Sequence, residues 1–184
     1  MNEKCKKENI VIIGMSGAGK SSVGKYISHK LNMEFIDTDD IIIETTGKTI
    51  DKIFEEYGEV FFRHLEADLI KKIHLFEKKV ISTGGGVILN SNNINLLKEK
   101  GVVFFLLAEV DTLYKNLLTD LSDDNRRPLL KNAQNLYDTI KNLYMNRKDK
   151  YFSFADYIID VDGKTLDMVG DEIISIFKSL SSCS

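Results

Sequence analysis

The chain is 184 residues long, with 43% hydrophobic and 29% charged residues and a formal net charge of -3. That length suits one domain able to bury a sizeable core, and the slightly acidic balance argues against a general affinity for nucleic acid. No apolar run approaches the roughly 18 residues of a membrane span, and the charged stretch Met1 to Glu8 leads into an apolar run too short for a secretory signal. Cys5 and Cys183 lie near opposite ends with no partner motif and read as free thiols of a reducing compartment. With a single proline and no linker, repeat or low-complexity tract, residues 1–184 read as one domain with a patterned core over 9–177.

In chain order, Ile10 to Ile13 form a short apolar strand, after which glycines enter at Gly14, Gly17 and Gly19, followed by Lys20, Ser21 and Ser22. The stretch I-V-I-I-G-M-S-G-A-G-K-S-S fits G-x-x-x-x-G-K-[ST]. Val23, Tyr26, Ile27 and Leu31 recur at helical spacing behind it, which supplies the strand–turn–helix context the motif needs. In such a loop the backbone N–H groups of Gly17, Ala18, Gly19, Lys20, Ser21 and Ser22 crowd round phosphates at a helix N-terminus. Lys20 reaches the β- and γ-phosphates, and the Ser21 hydroxyl is placed to hold Mg²⁺. The competing reading is a glycine-rich connection without a ligand.

Glu34 to Asp37 is a second strand ending in acids, followed by a polar group through Asp40 and a short helix, Ile41 to Thr46, stopped by Gly47. Ile50, Ile53, Phe54 and Tyr57 mark another helix, with Gly58 as a kink or break, and Phe62, Leu65, Leu69 and Ile73 continue the period beyond it. Val80 to Thr83 is a third strand running into Gly84-Gly85-Gly86, and Asn90 or Ser91 caps the next helix, through Leu97. Val102 to Leu107 is unbroken apolar, as in a strand covered on both faces. Val110, Leu113, Leu117 and Leu118 form a helix stripe, and the polar stretch from Leu121 to Lys131 has no period. Leu136, Ile140, Leu143 and Tyr144 restore a helix, Tyr157 to Ile159 is a last strand, and Leu166, Val169, Ile173 and Phe177 close the chain as a helix. Five strands alternating with helices predict an α/β fold, a parallel sheet flanked on both faces. Ligands of such sheets bind beyond the carboxyl ends of the strands, so the glycine loop, Asp37/Asp39 and the triple glycine should meet at one crevice.

Asp37 and Asp39 alternate and, in an extended segment, point the same way. One acid can support a metal's water shell and the other can sit beside an acceptor hydroxyl, or Asp39 or Asp40 simply caps a helix. The third strand ends in Ser82-Thr83 without an acid, so the metal-supporting role falls to Asp37. Arg63 has Glu59 four residues before it and Glu66 three after, an arrangement that can fix a guanidinium or be an ordinary surface ladder. The triple glycine allows close approach of a small ligand, or is a turn. Arg126 and Arg127 before Pro128 suit a lid carrying a cation to the transferring phosphate, or a solvated loop. Spacing alone gives Arg147 no distinction, and His29, His64 and His74 lack ligand-like spacing.

Taken together, G-M-S-G-A-G-K-S-S, the D-T-D of Asp37 to Asp39, T-G-K-T-I-D-K-I-F from Thr46, F-R-H-L-E around Arg63, S-T-G-G-G-V from Ser82 and R-P-L-L from Arg127 resemble the shikimate kinases, over about Asn9 to Phe177. The resemblance implies a P-loop kinase fold like that of nucleoside monophosphate kinases, with a mobile lid at about 120–131 and a substrate-binding segment at about 38–66. It implies transfer of the γ-phosphate of ATP, with Mg²⁺, to the 3-hydroxyl of shikimate, a step of aromatic amino-acid synthesis. By similarity Asp39 holds the ring hydroxyls and accepts the reacting proton, Arg63 and Arg147 bind the carboxylate, and Gly84, Gly85 and Gly86 line the ring. Ile50, Phe54 and Phe62 pack around it, while Lys20 and Arg127 act on the phosphates and Lys164 lies on the adenine side. A cytoplasmic monomer with neither nucleic acid nor membrane as partner is expected. Two departures stand out: R-K-D-K-Y from Arg147 lacks the family's proline before the tyrosine, and Thr119 or Asp120 stands where an adenine-side Arg is usual. The alternatives are another small-molecule kinase of this fold, for gluconate or a nucleoside monophosphate, and a non-catalytic nucleotide-binding module.

Overall fold

The computed structural model describes residues 7–120 and 135–182. Five parallel strands, β1 (Asn9–Ile13), β2 (Glu34–Asp37), β3 (Lys79–Ser82), β4 (Gly101–Leu107) and β5 (Tyr157–Asp160), form one sheet in the order β2-β3-β1-β4-β5. β1 is central: Ile10 faces Val80 on one side and Val102 on the other, and the whole strand is buried. That explains why β1 and β4 read as unbroken apolar runs, since both faces of each are covered. β5 is an edge strand, and its Ile158 is exposed accordingly. Helices connect the strands: α1 (Lys20–Leu31), α2 (Thr38–Thr46), α3 (Ile50–Ile73), α4 (Ser91–Lys100), α5 (Val110–Asp120), α6 (Leu136–Phe154) and α7 (Leu166–Ser182). A 3₁₀ turn, Val87–Leu89, follows the triple glycine. No helix among the described residues is long and apolar enough to cross a membrane.

Several boundaries differ from the sequence-based expectation, each for a local reason. α2 begins at Thr38, three residues early, because the Asp37 carboxylate accepts the Asp39 N–H (3.0 Å) and caps it. Asp37 and Asp39 therefore do not alternate along an extended segment: one ends a strand and the other sits in the first helical turn. The helices before and after Gly58 run on as α3 with a break at that residue (φ 81°, ψ 168°). β3 stops at Ser82, one residue short, and Asn90 caps α4 through its side chain. α6 runs unbroken through R-K-D-K-Y, the absence of proline allowing the regular helix. Leu118 and Leu166 are exposed rather than part of their helix stripes. The main core lies around the sheet, and a second small cluster of Ile42, Ile50, Ile53 and Phe62 joins α2 to α3.

Candidate active site

The glycine loop leaves the carboxyl end of β1 and enters α1. Gly17 has φ +87°, and a Cβ there would lie 2.8 Å from the Leu113 carbonyl, so only glycine fits under α5. Asn116 of α5 donates to the Gly17 carbonyl (2.8 Å) and pins the loop from above. Gly19 is the left-handed N-cap of α1 and offers no side chain, which leaves the helix N-terminus to a ligand. Ala18 and Lys20 are buried, and the Lys20 ammonium donates to the Met15 carbonyl (2.9 Å).

Beside the loop, the Ser21 hydroxyl donates to Asp37 Oδ2 (2.6 Å) and lies 3.4 Å from the Ser82 hydroxyl. Asp37 and Ser82 are register partners at the ends of β2 and β3, so the sheet itself delivers both to Ser21. Asp37 thus uses one oxygen to cap α2 and the other to meet the phosphate loop. These hard oxygens suit Mg²⁺, which keeps much of its water and takes few protein ligands.

Asp39 stands in the first turn of α2, and its Oδ1 is shielded with no hydrogen-bond partner. Burial, then the negative charges of Asp37 and Glu66, raise its carboxyl to about 7; Lys20 and Arg63 oppose the rise. One carboxylate therefore feels Lys20 of the glycine loop, Asp37 and the Arg63 cluster together. The Gly84 N–H donates to the Thr38 hydroxyl (3.1 Å), which binds the triple glycine to α2. A Cβ on Gly84 would lie 2.7 Å from Asp39 Oδ1, and one on Gly86 would run into the Arg63 guanidinium. None of the three glycines has positive φ, so Gly84 and Gly86 are required for space and not for backbone conformation.

The Arg63 guanidinium is held from both sides. Nη1 donates to Glu66 Oε1 and Oε2 (3.1 and 3.0 Å), while Nε and Nη2 donate to Glu59 Oε1 (3.2 and 3.0 Å). Glu66 is fully buried; burial pushes its carboxyl up, and Arg63 followed by Arg147 pulls it back. The surface-ladder reading of this spacing is therefore excluded. Arg147 is 8% exposed and donates from Nη1 to the Gly85 carbonyl (3.3 Å). Phe54 and Phe62 lie tilted against each other on α3 (centroids 5.1 Å, planes 47° apart) next to Arg63, with Ile50 in the same small cluster.

Of the other expected site residues, Lys164 lies in the β5–α7 loop and pairs with Glu172 (2.7 Å), which commits its ammonium to α7. Arg126, Arg127 and the expected lid lie outside the described residues. Four contributors went unrecognised in the sequence reading: the Thr38 hydroxyl, the buried state of Glu66, the Ser82 hydroxyl, noted only for not being an acid, and Tyr151, whose hydroxyl donates to the Gly85 carbonyl. The F-R-H-L-E and R-K-D-K-Y strings were the available signals for Glu66 and Tyr151; no spacing marks Thr38 or Ser82.

Comparison with known proteins agrees with this fold. The family described as shikimate kinase matches residues 16–178. The shikimate kinase of Caldicellulosiruptor bescii is 44% identical over 92% of this chain and 95% of its own, and that of Sulfurihydrogenibium sp. is 42% identical over 93% and 98%. Among solved structures, shikimate kinase from Acinetobacter baumannii in complex with shikimate superposes with a TM-score of 0.87 at 32% identity, covering 94% of this chain and 93% of that one. The Aquifex aeolicus shikimate kinase gives 0.75 at 35% identity over 94% and 98%. A gluconokinase from Sinorhizobium meliloti shares the fold alone, at 0.57 and 15% identity. With the phosphate loop, the buffered carboxylate and the anchored arginine pair on one rim of this sheet, the chain belongs to the shikimate kinase family.

Proposed function

We propose that the protein transfers the γ-phosphate of ATP to the 3-hydroxyl of shikimate, yielding shikimate 3-phosphate and ADP. The observation that carries this reading is the pair Arg63 and Arg147, fixed by Glu66 and Gly85, beside an Asp39 carboxylate that also feels Lys20. A planar ring carboxylate suits a guanidinium fork, and neighbouring hydroxyls suit a carboxylate and backbone N–H groups.

In this mechanism Gly17, Ala18, Gly19, Lys20, Ser21 and Ser22 hold the phosphates with backbone N–H groups at the start of α1. Arg63 and Arg147 anchor the acceptor's carboxylate, and Gly84, Gly85 and Gly86 line its ring. Asp39 takes the proton of the 3-hydroxyl as the new O–P bond forms and the bond from the γ-phosphorus to the bridging oxygen breaks. Lys20 lies against the charge that gathers on the transferred group. Ser21 and Asp37 would hold Mg²⁺, which neutralises charge between the β- and γ-phosphates when bound. Arg127 would close with a lid over about 120–131 and exclude water, Lys164 would serve the base side, and the segment at about 38–66 would carry the acceptor. The same reading makes the protein a cytoplasmic monomer acting on small molecules, without nucleic-acid or membrane partners.

A coupled ADP-release assay with shikimate, gluconate and nucleoside monophosphates offered separately tests the assignment. Turnover restricted to shikimate is expected. Turnover of gluconate without shikimate overturns it, and no turnover of any acceptor points to a non-catalytic module.

A further inference from the structure

Tyr151 has no part in the mechanism above, yet it is fully buried beneath the site. Its ring lies flat on Phe105 (centroids 4.9 Å, planes 8° apart), and its hydroxyl donates to the Gly85 carbonyl and sits 3.7 Å from Met15 Sδ in the phosphate loop. Burial pushes the phenol up, so it remains a protonated donor over the working pH range. Arg147, one helical turn earlier on α6, donates to the same carbonyl. The unbroken α6 puts the two donors at i and i+4, on one face.

Three successive glycines have the freest backbone a chain can offer, so a cradle built from them must be held from outside. The Gly84 and Gly86 carbonyls are taken by the 3₁₀ turn, from the Val87 and Leu89 N–H groups (3.2 and 3.0 Å). The Gly85 carbonyl is held by side chains, those of Tyr151 and Arg147. No described peptide is cis, and in a trans peptide the C=O and N–H point in opposite directions. Fixing the Gly85 carbonyl against α6 therefore turns the Gly86 N–H away from α6.

We propose that Tyr151 is a positioning residue for the acceptor: its hydroxyl locks the Gly85–Gly86 peptide plane so that the Gly86 N–H, beside Arg63, is aimed at the acceptor. Because Arg147 is tied to the same carbonyl, the lock also registers that arginine against the Gly86 amide. The contact with Met15 extends that register to the phosphate loop. The inference rests on the reading of the triple glycine as the acceptor cradle.

Tyr151→Phe removes the hydroxyl and keeps the stacked ring. Its KM for shikimate should rise on the order of fivefold to tenfold, the loss of one buried hydrogen bond, with KM for ATP within twofold of wild type. Phe177→Leu, a core change in α7 remote from the site, should lower Tm and leave both KM values unchanged. Wild-type turnover of shikimate in the same assay is the control: its absence sinks the functional reading, whereas a normal wild type with an unaltered Tyr151→Phe sinks this inference alone. An equal rise in both KM values also overturns it, since that is the mark of general loosening. A second measurement does not depend on the variant's folding. In a ¹H–¹⁵N titration of the wild type with shikimate, the Gly86 amide should be among the most shifted resonances, and a stationary Gly86 amide refutes the proposal.

Discussion

Asp39→Asn should make this protein more stable and nearly inactive, and the stability gain should depend on pH in a defined direction. Burial first, then Asp37 and Glu66, hold the Asp39 carboxyl at about 7 in the folded protein against 3.8 for an unperturbed group. The folded state therefore binds a proton more tightly than the unfolded one between those values. Stability from this site is fully present below about pH 4, falls as pH rises, and levels off once pH passes the folded value. A shift of about three units corresponds to at most about 4 kcal/mol. Asp39 is only half-buried at the cleft, so solvent screening reduces this to roughly 1–2 kcal/mol. An amide of the same shape avoids that cost, and for a chain of this length about 1 kcal/mol moves Tm by roughly 2–4 °C. Thermal melts should show the variant about 4 °C above wild type at pH 8 and less than half that at pH 5. Turnover should fall by about a hundredfold or more. An equal gain at both pH values, or a loss at pH 8, refutes the electrostatic account. In the wild type, kcat/KM for shikimate should climb between pH 6 and pH 8 as the free enzyme's Asp39 ionises.

Other substitutions probe the neighbouring parts. Gly86→Ala places a methyl group where the Arg63 guanidinium lies, so KM for shikimate should rise about tenfold or more while KM for ATP is held; an unchanged shikimate KM argues against that contact. Arg63→Ala should raise the shikimate KM further and also lower stability by about 3 kcal/mol, because the buried Glu66 loses its cation; denaturant unfolding would reveal whether that second effect is absent. Lys20→Ala should reduce turnover by about a hundredfold or more, with shikimate binding measured calorimetrically left near normal.

The fold was largely legible because β1, β4 and the helix stripes of α1 and α3 obey clean periods, and the glycines punctuate the joins. Asp37 shows where reading along the chain fails: a carboxylate at a strand end can cap a helix, and capping moved the start of α2 and the orientation of Asp39. Arg63 was visible as a charged ladder, but whether Glu66 faces water or the core depends on Gly84 and Arg147 coming close to it from distant parts of the chain, which no local pattern records. Arg147 and Tyr151 gained meaning only through the Gly85 carbonyl, a partner more than 60 residues away. The triple glycine was read as room for a ligand; it is first of all room for Asp39 and Arg63.

α3 serves two apolar clusters, Ile50, Ile53 and Phe62 the smaller and Ile70 and Ile73 the larger, and the break at Gly58 falls within its share of the smaller. The buried apolar side chains of Thr38 to Tyr57, Ile42, Ile50 and Ile53, pack with Phe62 in the small cluster, and Ile41 is a partly buried contact with the main body, whereas the later turns of α3 anchor there through buried Ile70 and Ile73. So small a cluster should let that flap open before the sheet does. Amide protons there should exchange early, and an occupant bridging Asp39 and Arg63 would clasp the flap to the trunk. In the proposed mechanism the carboxylate that takes the proton thus rides on this flap, and the incoming acid is itself the fastening.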